Sequence, residues 1–114
     1  MAVMDAAKVL GNEIRQSPEY LAFMKAKEEA FESETSAALL KEFSRLQTKL
    51  QMAAIAGGQS DAQEMTRFQQ MSALLYATPE TSAYLLAQLR LQKLMADVFS
   101  YLSNEAGLPI DMPT

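Results

Sequence analysis

Four glutamates crowd one short stretch, Glu28, Glu29, Glu32 and Glu34. Inside a helical bundle, carboxylates of this kind can hold a di-metal centre. That design pairs them with Glu-x-x-His motifs on facing helices, and the chain has no His. The cluster therefore reads as a solvated acidic face, the ordinary state of charged side chains without a buried partner. Hydroxyls are plentiful, but there is no Gly-x-Ser-x-Gly turn and no imidazole to activate one. A Ser–Lys pair is the one hydroxyl chemistry left open. Ser17, Ser36 and Ser60 stand where helices start and chains turn, so capping accounts for them. The absence of Cys removes thiolate ligands, disulfides and thiol nucleophiles. Gly57-Gly58 lacks the spacing and the Lys-Ser/Thr ending of a phosphate loop. These residue types predict no catalytic site, no cofactor and no metal.

Surfaces for partners are the other possibility. Lys41, Arg45 and Lys49 recur every four residues and share one helix face. With Glu28, Glu29 and Glu32 they are the candidate partner-facing charges; the plainer reading is a solvated face paired with carboxylates such as Glu42. The formal net charge of −4 disfavours phosphate backbones and anionic membrane surfaces, so direct nucleic-acid binding is not expected. Apolar runs reach only about five residues, far short of the roughly 20 that span a bilayer. The N-terminus lacks the basic-then-apolar pattern of a signal peptide. No membrane insertion and a cytoplasmic location follow as expectations.

The elements that would carry these surfaces are helices. The 3.6-residue period dominates and strand-like alternation is missing. The hydrophobic share of 49% and charged share of 21% suit a folded globular chain. Val3, Ala7, Leu10 and Ile14 line one face of a first helix ending before Pro18. Ser17 caps a second, with Pro18 in its first turn, running to about residue 31 or 32. Ser33 to Ser36 reads as a break. A third helix over 37–56 carries Leu39, Leu40, Phe43, Leu46 and Leu50, and ends at Gly57-Gly58. Asp61 and Glu64 resemble a capping box opening a fourth helix, and Thr78-Pro79 opens the last, which runs to residue 104 or 105. The expected fold is all-α: a single-domain bundle of about five helices, the C-terminal one long, over residues 1–106, with a short extended tail over 107–114. At 1.5 Å per residue the last helix spans roughly 40 Å.

That helix carries two adjacent apolar stripes. One is Tyr84, Leu91, Leu94, Val98 and Leu102; the other is Leu85, Leu89, Met95 and Phe99. This is more apolar surface than its shorter neighbours can cover. The predicted consequence is a homo-oligomer, a dimer, with Leu91, Leu94, Met95, Val98 and Leu102 in the interface. The Met-rich character of the chain fits an adaptable binding surface as well as it fits core filling.

Three segments then carry a resemblance. Ile14-Arg15-Gln16-Ser17-Pro18-Glu19-Tyr20 resembles an I-x-x-S-x-E-Y opening. Residues Leu39 to Gln47 resemble an LL-x-E-F-x-x-L-Q segment, and Pro79 with Tyr84-Leu85-Leu86-Ala87 resembles P-x-x-x-x-Y-L-x-A. Together, in this order, they resemble the YlbF/YmcA family of small helical regulators of Gram-positive bacteria. The resemblance implies a self-associating helical protein that joins other regulatory protein subunits. The complex so formed modulates RNA processing by a membrane-bound endoribonuclease and acts in competence, sporulation and biofilm formation. Members linked to iron–sulfur binding need Cys ligands, so no cluster is expected on this chain. A self-assembling helical protein of unrelated structural role is the alternative, and an enzyme of unknown type the third possibility.

Overall fold

The computed structural model describes residues 1–58 and 61–108. Five helices follow one another: α1 (Ala2–Arg15), α2 (Pro18–Ala30), α3 (Glu34–Ile55), α4 (Ala62–Ala77) and α5 (Pro79–Glu105). No strand occurs among the described residues. The expected all-α class, helix number and long last helix are all observed.

Local chemistry sets each boundary. The Ser17 hydroxyl accepts from the Tyr20 amide at 3.2 Å and donates to the Ile14 carbonyl at 2.6 Å, so one side chain ends α1 and starts α2. Gly57 takes φ +76°. Its amide bonds the Ala54 carbonyl, and that of Gly58 bonds the Ala53 carbonyl. This is the Schellman pairing, which a residue with a Cβ adopts only under strain. Gly107, at φ +71°, ends α5 the same way, with Leu108 bonded to Ser103. Residues 109–114, most of the expected extended tail, lie outside the described residues.

Three details differ from the sequence reading. Helix α3 begins at Glu34, because Ser33 is the residue that caps it, accepting from the Ser36 amide at 3.3 Å. Asp61 caps α4 through the Gln63 amide at 2.8 Å, but Glu64 does not close a capping box; it reaches Lys49 instead. At the α4–α5 corner the Thr78 hydroxyl turns back to the Leu74 carbonyl. The buried hydroxyl there belongs to Thr81, 1% exposed, which donates to the Leu75 carbonyl at 2.5 Å. Thr81→Val keeps the shape and removes that donor. It should cost about 1–2 kcal/mol, read as a lower urea midpoint with unchanged slope.

Two compact units make up the chain. Residues 26–85 form one: the last turn of α2, α3, α4 and the first turns of α5. Its core is Ala30, Leu40, Phe43, Leu46, Met71, Leu75 and Leu85, with Phe31, Leu39, Phe68 and Tyr84 packed against it. Phe43 and Phe68 stack with centroids 4.7 Å apart, joining α3 to α4. Phe31 and Tyr84 meet edge to face at 5.6 Å, and burial pushes the Tyr84 phenol above its ordinary pKa. Residues 1–25 and 86 onward form the other unit: α1, the first part of α2 and most of α5. Among its described residues only Ala87 and Ser103 are buried.

Candidate interaction surface

The first helix is amphipathic, yet none of its residues is buried. Val3, Ala7, Leu10 and Ile14 share a face by their spacing. Leu10 and Ile14 are half-buried, Ala7 is exposed, and Val3 and Met4 are 69% and 58% exposed. An amphipathic helix gains its stability mainly by covering its apolar face, and here that face stays largely open.

The C-terminal part of α5 shows the same excess. Of the residues expected at an interface, Leu91, Leu94 and Val98 are half-buried within the chain, whereas Met95 and Leu102 are 44% and 52% exposed. Phe99, 39% exposed, lies between these two. Spacings of four and three put Met95, Phe99 and Leu102 on one strip. Phe99 is absent from the interface set read from the sequence although Met95, of the same stripe, is in it; the four-residue spacing from Met95 is the signal for it.

In the other unit the two sides of the α3–α4 pair differ. One side is charged. Arg45 grips Glu42 with two hydrogen bonds of 2.6 and 3.0 Å, Arg67 stands 3.4 Å from the same carboxylate, and Lys49 pairs with Glu64 at 2.8 Å. The hydrogen bonds from Arg45, with Arg67 nearby, hold the Glu42 carboxyl below its usual range; Glu42 in turn raises the Arg45 guanidinium. Two cations of the basic stripe thus face carboxylates of their own helix pair. Lys41 is exposed and makes no ion pair among the described residues. Glu28, Glu29 and Glu32 are exposed, and among the described residues no acidic group is arranged to hold a metal.

The opposite side is uncharged. A groove of about 320 Å³ runs there between α3 and α4, lined by Gln47, Leu50, Gln51, Ala54, Met65 and Phe68. Its lining is apolar side chains and two amides.

The sequence matches a known group. A family described as "control of competence regulator ComK, YlbF/YmcA" matches residues 3–105. The chain belongs to the YlbF/YmcA family. It is 33% identical over 97 residues to a UPF0342 protein of Streptococcus pyogenes, covering 84% of this chain and 85% of that one. A UPF0342 protein of Caldicellulosiruptor saccharolyticus is 24% identical over 110 residues, covering 96% and 92%. The solved structure of a protein of unknown function (DUF964) from Bacillus stearothermophilus has the same fold. Its TM-score is 0.80 over 94% of each chain, at 17% identity. No described helix of this YlbF/YmcA-family chain is long and apolar enough to cross a membrane.

Proposed function

We propose that this protein works without catalysis, as a cytoplasmic, self-associating subunit that binds other regulatory proteins and through them modulates RNA processing in developmental control. The observation that carries the mode of action is the uncovered apolar surface: α1 without a buried residue, and Met95, Phe99 and Leu102 open on α5. Helical faces of this type dock into grooves or pair with partner helices. Membership of a family named for control of the competence regulator supports the regulatory role. The lack of His and Cys leaves few routes to acid–base or nucleophilic chemistry. The exposed carboxylates Glu28, Glu29 and Glu32 suit a basic partner surface, adding more to association rate than to affinity.

Deleting the gene in its host, with transcript ends mapped genome-wide, tests the process; affinity purification of the tagged protein tests the mode. Shifted transcript ends and co-purified regulatory subunits are the expected results. Unchanged ends, with only the protein itself recovered, would favour a self-assembling structural role.

A further inference from the structure

Resting on the self-association proposed above, we infer that α1 of one copy docks in the α3–α4 groove of a second copy, and that the exchange is reciprocal. On α3, Leu40, Gln47 and Ala54 recur at seven-residue spacing, so they share a face. Phe68 and Leu75 do the same on α4. Leu40 and Leu75 are buried in the core with Ala30 and Leu85, whereas the same seam nearer the α3–α4 turn is the open groove. The groove is thus a continuation of a helix-packing seam whose last turns lack a helix. Ile55 at the end of α3, 81% open and one turn beyond Gln51, extends this apolar end.

The chain itself carries the matching helix. Val3, Met4, Ala7, Leu10, Gly11 and Ile14 make a broad apolar face on α1, while Asp5, Lys8 and Asn12 fall on the opposite side. Small residues in its middle allow close approach, and a Cβ at Gly11 would meet nothing within 4 Å. Groove and face are both uncharged, so joining them buries no unpaired charge. On the helix Val3, Met4, Ala7 and Gly11 are exposed, with Leu10 and Ile14 half-buried; in the groove Gln47, Gln51, Ala54 and Met65 are exposed, with Leu50 and Phe68 half-buried. One helix in one groove is a small contact against the roughly 1,200 Å² of a stable interface. A two-fold arrangement makes the contact twice, since any surface that one copy offers its partner is offered back.

The absence of native Cys makes a direct test clean. Ala7→Cys and Met65→Cys variants are purified separately, mixed and oxidised, and the products are identified by intact mass. Lys8→Cys, on the far side of α1, replaces Ala7→Cys as the control. Disulfide closure needs Cβ atoms about 4 Å apart, so the Ala7/Met65 mixture should give the mixed covalent dimer at least about ten times faster than the Lys8/Met65 mixture. Light scattering on the unoxidised mixture reports association independently. A dimer in which the two mixtures cross-link equally slowly would overturn the docking of α1 while leaving self-association intact. A monomer would overturn both. A chain carrying both Ala7→Cys and Met65→Cys that closes its disulfide within a single copy would overturn the second copy as occupant.

Discussion

Replacing Met95 and Leu102 together by Glu should turn the protein into a monomer that keeps its helix content. Both side chains are 44% or more exposed in the single chain, so the new carboxylates meet water when the chain is alone and its fold is undisturbed. In the proposed dimer the same carboxylates would be buried without partners, at a cost of several kcal/mol. Each 1.4 kcal/mol is a factor of ten in Kd, so the midpoint of association should move by at least about a hundredfold. Sedimentation velocity gives the mass and far-ultraviolet circular dichroism the helix content. Val98→Glu is the less discriminating change, because Val98 is half-buried within its own chain and its loss strikes folding as well. A double variant that associates like the wild type would remove the α5 strip from the interface.

The second large effect lies in the other unit. Leu46, 1% exposed, sits in the cluster that joins α3 to α4 and to the start of α5. Leu46→Ala should cost about 3 kcal/mol, within the 2–5 kcal/mol typical of buried leucine truncations. Domains of this size hold only about 5–15 kcal/mol in total. The loss should therefore appear as a large fall in the urea midpoint with little change in slope. Val9→Ala, at a position 64% exposed on α1, should stay within about 0.5 kcal/mol. Equal effects at the two positions would mean that α1 is buried in solution to a degree the single chain does not show.

How much of this was legible before the structure depended on the range of the interactions. Ser17-Pro18, Gly57-Gly58 and Gly107 marked helix ends because capping is local: a hydroxyl reaching an amide three residues on, or a glycine at positive φ. The start of α3 was missed because Ser33, Thr35 and Ser36 are all competent caps, and neighbouring structure selects Ser33. The Glu64 carboxylate was misassigned because a capping box and a cross-helix ion pair have the same local signature; the position of Lys49 on α3 decides between them. The Thr81 hydroxyl carries no pattern at all, since its partner carbonyl lies six residues back across a corner.

The candidate surface was half legible. Periodicity marks apolar sides on α1 and α5, but it says nothing of what covers them. It placed Tyr84 and Leu85 in the same stripes as Leu102 and Phe99. In the structure the former pack in the core and the latter stand open. The groove beside Gln47 and Phe68 had no signature in the sequence, because it forms only where α3 and α4 lie side by side.

The central claim is that this chain functions through contacts between chains. Its most direct test is the solution mass of the untagged wild-type protein by sedimentation equilibrium at physiological salt across the micromolar range. The apolar faces left open on α1 and α5 predict twice the chain mass. A single-chain mass at every concentration in that range would contradict it.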